Sequence, residues 1–468
     1  MTLLPSSLPR VADLQGFFDN PLTFLGQARS QLGDVFVLRE DAPLFSRSAE
    51  CAGVIAVFGS ANQQAVLTDA ELFGLPVSAA QHLSLPDKLI NLNRGLHSMR
   101  GKQHDQHQRI LLRVLSDRNV EDRHRAITAG LEEFIKSWKR GQKIGLLTEM
   151  RRLTLEVSTR YLFGERYEER AELASLAEKF FHSRREATST FSAPSEASLK
   201  SLVALGTSLD ESMRRHITWS RQQTITPDAG LLSKLACLEL ERTRLSEDEM
   251  VAHGNVLFMS SNEPIAVALT WTLLVLSQLP KLRQELRNEL DQLPSGALPS
   301  LSQLSGLSLL DSVISESLRL LTPNAMMSRV TTRGGSLNGV SLPEGCEVVL
   351  CPLLAHRDEA VFARPKEFLP SRWRGFKPSP FEYFPFGAGG HSCVGRSPAL
   401  HVIKTALAVM LRDHELLLAG DQEIDWQVHI IFMPASNPIV KVRAPAPPEV
   451  KAGRLLGPVR ELIHFKSS

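Results

Sequence analysis

One cysteine of this chain stands in unusual company. The segment Phe384-Pro-Phe-Gly-Ala-Gly-Gly-His-Ser-Cys-Val-Gly395 gathers aromatic residues, four glycines and a single cysteine in front of an apolar stretch that reads as a helix. A cysteine that binds a metal does so as a thiolate, and the positive end of a helix favours that anion and lowers the thiol pKa. Backbone N–H groups beside the sulfur can donate to it and tune the metal without neutralising the ligand. Glycines let the backbone lie close to a flat macrocycle, and Phe386 can shield the sulfur from water. Taken alone, the loop also reads as a glycine-rich turn with an idle cysteine, or as part of a cysteine hydrolase. A phosphate loop is excluded more firmly, because the Lys-Ser/Thr ending it needs is absent.

A second group of reactive types sits within a predicted helix. Ser246-Glu-Asp-Glu249 has the form of a capping box, and an apolar run follows to Gln278 before Leu279-Pro280 stops it. The span is about 33 residues, or roughly 50 Å. Its middle carries Ser260-Ser261-Asn262-Glu263-Pro264. Pro264 has no N–H and crowds the Ser260 carbonyl, so a kink is expected there, with a carbonyl able to hold water.

The elements that must position these residues follow from periodicity. Gly33–Arg39 and Gly53–Gly59 read as strands rich in Val, Ile and Phe. From about Gly101 to Pro294 apolar residues recur three and four apart, as in Leu146–Val157. Ser189 to Ser201 reads as a mobile connection. A helix over Leu309–Leu321 ends at Thr322-Pro323, short strands follow at Val340–Leu342 and Glu347–Leu350, and a Pro- and aromatic-rich loop runs from Arg364 to Phe386. The fold class expected is mainly α (α+β) with minor sheets. The 468 residues, 43% hydrophobic, suffice for one large domain or two smaller ones, and a net charge of +2 gives no reason to expect nucleic acid as partner. The first ten residues contain two prolines and no long apolar run, so neither a signal peptide nor a membrane anchor is expected. Cys51, Cys237, Cys346, Cys351 and Cys393 are scattered without zinc or redox spacing, which suits a reducing cytoplasm.

Three motifs in register carry a family resemblance. Phe386-Gly-x-Gly-x-His-x-Cys-x-Gly395 closely resembles the haem-binding signature of the cytochromes P-450, bacterial soluble type, with His391 where the family usually has Arg. Glu316-Ser-Leu-Arg319 is similar to the Glu-x-x-Arg of that family's K helix. Phe368-Leu-Pro-Ser-Arg372-Trp resembles the segment whose arginine completes a buried Glu-Arg-Arg cluster. The similarity extends from about Leu22 to Arg443. It implies the cytochrome P-450 fold, a helical domain with small sheets around a buried haem b, over residues 1–445, with 446–468 a tail of unassigned role. It implies Cys393 as the iron ligand, with Phe386, Gly387 and Gly395 beside the haem, and His104, Arg329 and His391 as partners of the propionates. The basic residue expected four positions after His104 is replaced by Gln108, with Arg109 adjacent. Glu316, Arg319 and Arg372 would hold the loop under the haem. In the long helix Ser260 and Ser261 take the place of the small pair, Glu263 that of the acid, and Pro264 that of the threonine whose hydroxyl helps deliver protons.

The resemblance implies an oxidoreductase: monooxygenation of a hydrophobic small molecule by dioxygen and two electrons, in bacterial specialised metabolism. Pro264 keeps a second reaction open, namely coupling, cyclisation or desaturation of a phenolic or indolic substrate without oxygen insertion. A haem-based binder or sensor is a third reading. The pocket is expected to draw on Leu83, Leu89, Leu92, Met259, Pro264, Ala325, Met326 and Met327. Electrons are expected from a separate ferredoxin and ferredoxin reductase, docked on Lys102, Arg109, Arg113, Arg118, Arg374 and Lys377. No membrane is expected as partner.

Overall fold

The long helix takes the ends its sequence dictates. In the computed structural model it runs Glu247–Ser277, with Ser246 as N-cap, Gln278 as C-cap and both hydrogen bonds of the capping box made. Pro264 lies inside it without ending it; its missing N–H takes the i+4 donor from the Ser260 carbonyl. The structure describes residues 4–46, 50–76, 85–116, 120–187, 195–226, 229–239, 244–293, 298–428, 431–445 and 452–465.

Helices pack around this axis. Leu146–Phe163 lies along it, and Gly101–Leu115, Glu196–Arg221, Ser308–Leu320 and Arg396–Asp413 surround it. Two apolar clusters share the helix: one centres on Trp271 and its neighbours, the other on Phe258 with Phe163 and Leu209. The stretch expected as a mobile connection is partly helix. Ser195 accepts from the Ser198 N–H at 3.1 Å and starts Glu196–Arg221, a capping role that the Ser/Thr-rich composition concealed. Residues 189–194 lie outside the described residues.

A five-stranded sheet flanks the helices in the order Val35–Glu40, Gly53–Val57, Cys346–Leu350, Met327–Thr331, Phe73–Gly74. Gly53–Val57 and Cys346–Leu350 are parallel and buried throughout, which explains their unbroken apolar runs. Arg329 pairs with Val348 in this sheet. The boundary expected at residue 445 is not a boundary in packing. Leu455, Val459 and Ile463 are buried in the main core, Leu455–Leu456 pairs in parallel with Gln422–Glu423, and the Leu462 carbonyl accepts from Arg357 at 3.0 Å. Three apolar side chains spaced at four residues were enough to fold this segment back. Among the described residues no single helix is long and apolar enough to cross a membrane.

Candidate active site

The cysteine loop is shaped by its glycines. Gly387 and Gly389 adopt φ of 68° and 71°, a region that side chains avoid, and a Cβ on Gly389 would lie 1.8 Å from the Leu67 carbonyl oxygen. The tight turn lets the Cys393 N–H donate to the Phe386 carbonyl at 2.9 Å. The Gly395 N–H favours the thiolate, while burial, the larger effect, holds the Cys393 thiol pKa above its usual value. Yet the cysteine carries open surface. At such an accessible sulfur a metal could take the place of the proton. Val394, next to it, packs on the cluster that contains Phe258, Leu257 and Met259 of the long helix.

The long helix carries open surface over one stretch. Residues 250–255 and 265–277 are buried, whereas Val256, Leu257, Met259, Ser260, Ser261, Asn262 and Pro264 are not. Ser260 is the most open and its hydroxyl makes no hydrogen bond among the described residues. The Ser261 hydroxyl and the Asn262 amide both donate to the Phe258 carbonyl, at 2.9 and 2.5 Å.

Glu263 does not stand there as a free acid. Arg151, from the Leu146–Phe163 helix, grips its carboxylate in a bidentate pair, with Nε 2.9 Å from Oε2 and a second, closer contact from Nη2 to Oε1. The sequence gives no signal for this partner, which lies 112 positions away. Glu263 thus ties two helices together. Ala325 is also placed otherwise than expected: it has 0% exposure and its carbonyl accepts from the Leu353 N–H at 3.4 Å, so it lines no open space. Leu89 and Leu92 are likewise buried, at 1% and 0%. Met259, Met326 and Met327 retain open surface, and Leu83 lies outside the described residues.

A buried guanidinium and two imidazoles converge on the same region, where Asp105 lies 3.4 Å from His104. Arg329 is 4% exposed, donates among the described residues to the Ser328 carbonyl alone, at 2.9 Å, and burial lowers its pKa to about 10. Beside it His391 Nδ1 and His104 Nε2 meet at 3.0 Å. Burial, then His104, then Arg329 push the His391 pKa down to about 4. A buried guanidinium with no carboxylate is costly, so this pocket is built for an anionic group from outside the chain. Gln108, where a basic residue was expected, donates instead to the Gly390 carbonyl at 2.8 Å and pins the cysteine loop to the Gly101–Leu115 helix.

Beneath the loop the expected ion cluster is complete. Glu316 and Arg319, both 0% exposed, pair through Oε2–Nε and Oε1–Nη2, each 2.9 Å. Arg372 Nε adds contacts of 3.1 and 3.2 Å. Sequence reasoning missed two members. Trp373 Nε1 donates to Glu316 at 3.0 Å, and it is the residue after Arg372 in the quoted motif. His356 is the link to the cysteine loop: its carbonyl accepts from Arg319 at 2.8 Å and its Nε2 accepts from the Phe384 N–H at 2.9 Å. Acceptance at Nε2 places the ring proton on Nδ1.

An accessible Cys393 sulfur, an open stretch of helix bearing Ser260, and a buried cation that no acid among the described residues matches fit a flat, iron-centred macrocycle with acidic side groups. The comparisons agree. The sequence model of the family "Cytochrome P450" matches residues 78–442. Cytochrome P450 3A12 of Canis lupus familiaris is 30% identical over 204 residues, 42% of this chain and 41% of that protein. Pentalenene oxygenase of Streptomyces avermitilis is 26% identical over 347 residues, 70% and 75% of the two chains. Cyclooctatin synthase of Streptomyces melanosporofaciens is 33% identical over 170 residues, 35% and 37%. The matches to the first and third of these span about two fifths of each relative's length. Among solved structures, a cyanobacterial CYP120A1 with bound retinoic acid superposes with a TM-score of 0.79 at 21% identity, covering 95% of this chain and 100% of that one. The haem domain of cytochrome P450DA gives 0.80 at 22%, covering 95% and 99%.

Proposed function

This chain belongs to the cytochrome P450 family, and from that premise we propose that it is a haem-thiolate monooxygenase acting on a hydrophobic small molecule in bacterial specialised metabolism. The observation that carries the reading is the accessible Cys393 sulfur together with a buried Arg329 that pairs with no acid among the described residues. Cys393 would hold the iron of protoporphyrin IX, Arg329 and His391 with His104 would receive the propionates, and Phe386, Gly387 and Gly395 would enclose the sulfur. When bound, the haem supplies activation of dioxygen, and the thiolate favours O–O cleavage.

The chain's own residues do the rest. The Ser260 hydroxyl and the Ser260 carbonyl, which Pro264 deprives of its helical donor, together hold water where a threonine hydroxyl is absent. Glu263, fixed by Arg151, keeps the open stretch in place. Apolar surface from Met259, Met326 and Met327 adapts to the substrate's shape. Relatives bearing the names pentalenene oxygenase and cyclooctatin synthase suit such a substrate. Lys102, Arg109, Arg113, Arg374 and Lys377 are exposed and offer a basic face to a ferredoxin, itself reduced by a ferredoxin reductase; Arg118 lies outside the described residues. Residues 4–445 and 452–465 act as one haem domain, placed in the cytoplasm.

The second reading, coupling or ring closure without oxygen insertion, is favoured by Pro264 alone. Turnover with labelled dioxygen, on a substrate found by its spin-state shift of the iron, separates the two. Label in the product supports monooxygenation; an oxidised product without label replaces it with coupling.

A further inference from the structure

Two buried imidazoles take no part in the chemistry above. His107 of the Gly101–Leu115 helix is 5% exposed and His253 of the long helix 1%. Their rings meet, with His107 Nδ1 2.8 Å from His253 Nε2. On its other side His107 Nε2 lies 3.2 Å from Glu249 Oε1, and the Glu249 side chain is 31% exposed in the first turn of the long helix. The three groups form one row from solvent into the core, its outer link an ion-pair contact and its inner link a hydrogen bond. Its inner end, His253 Nδ1, meets no protein partner among the described residues. At 3.6 residues per turn, positions 253, 260 and 264 share one face, and 253 to 260 is about 10.5 Å of helix. Val256 and Leu257, which lie between them, are both partly open.

We propose that Glu249, His107 and His253 form a proton path from solvent to the open stretch of the long helix at Ser260. The path rests on the monooxygenase reading, in which dioxygen, two electrons and two protons convert a C–H bond to C–OH and one water. Those protons need a source, the usual hydroxyl is a proline, and Glu263 is committed to Arg151. A proton that arrives from solvent beside Glu249 enters at His107 Nε2, His107 passes its Nδ1 proton to His253 Nε2, and His253 passes its Nδ1 proton inward to water near Ser260. One proton enters and one leaves, the Glu249 side chain draws the proton in, and the two rings turn to reset. At a turnover on the order of 10 per second, roughly 100 ms are available for that step, and rearrangements of this kind take microseconds to seconds.

The surrounding charges suit neutral imidazoles. His104, one turn away on the same helix, and Glu249 face His107. His97 and His107 face His253, and Arg184 faces His97. Burial is the largest influence on all three histidines, taking His253 to about 3 and His97 to about 4, so at neutral pH each ring offers one N–H and one lone pair.

Glu249→Gln tests the path, because glutamine keeps the capping box but cannot ionise. His253→Phe is the second variant. The expected result in both is an unchanged spin-state affinity for substrate, with product formed per reductant consumed falling about tenfold, a larger solvent isotope effect and a flattened pH profile. Parent values for coupling, isotope effect and pH profile in Glu249→Gln overturn the path. The ¹⁵N-histidine spectrum of the diamagnetic ferrous carbonyl protein reads the row independently of turnover. A scalar coupling between His107 Nδ1 and His253 Nε2 supports the row, and two rings titrating freely near pH 6.5 overturn it. Failure of the parent to oxidise anything, with that coupling intact, counts against the monooxygenase reading instead.

Discussion

Replacing Glu316 with glutamine should cost about 3 kcal/mol of stability and detach the cysteine loop from its support. The carboxylate receives two hydrogen bonds from Arg319 and others from Arg372, Trp373 Nε1 and the Leu369 N–H. Both Glu316 and Arg319 are fully buried. Breaking such a pair by removing one partner costs about 3–5 kcal/mol, since the remaining guanidinium is stranded. Glutamine returns one acceptor oxygen, which recovers about 1 kcal/mol, but turns an amide N–H₂ toward a donor. The net, about 3 kcal/mol, is roughly a hundredfold in the folding equilibrium. Arg319 would also loosen its hold on the His356 carbonyl, and His356 holds Phe384, so haem retention should fall along with stability. Urea unfolding followed by circular dichroism and by haem absorbance measures both. A variant within about 0.5 kcal/mol of the parent, the usual range for surface changes, refutes the argument that this cluster is a buried, closed network.

Arg329→Met should stabilise the haem-free protein, by removing a buried cation that no acid among the described residues matches, and yet speed haem loss from the loaded protein; transfer of haem to an apo-globin acceptor and thermal unfolding of the haem-free form check the two signs. Stability should fall as the pH drops from about 6.5 toward 4. Burial lowers His216 to about 4, and His253 and His356 to about 3, so the unfolded chain binds protons that the folded one refuses, and each histidine adds up to about 1.4 kcal/mol per pH unit in that window. His216→Gln should remove about one proton's worth of that slope in acid-dependent urea unfolding. Ending the chain at residue 451 should lower the melting temperature, since Leu455, Val459 and Ile463 leave the core and Arg357 loses the Leu462 carbonyl; an unchanged melting curve contradicts the packing seen here.

Legibility in the sequence followed the range of the interaction. The long helix was readable to its caps because Ser246 and Glu249 act within one turn. Glycine spacing announced the cysteine loop because positive φ is a local demand. Glu316 and Arg319 share a helical face, so their pairing could be anticipated, whereas Arg151 with Glu263 and His356 with Phe384 join elements whose approach only tertiary packing decides. Ala325 was misplaced for the same reason: an apolar residue after Pro323 can face a cavity or the core, and nothing local distinguishes them. The tail was unreadable because its strand is two residues long and its helix four, and the core that takes up Leu455, Val459 and Ile463 is assembled from distant parts of the chain.

The central claim is a bond from the Cys393 sulfur to a haem iron. The absorption spectrum of the reduced, carbon-monoxide-treated protein tests it most directly. The account predicts the strongly red-shifted band of thiolate ligation in the parent and its loss in Cys393→Ala. A parent without that band, or a variant that keeps it, contradicts the account.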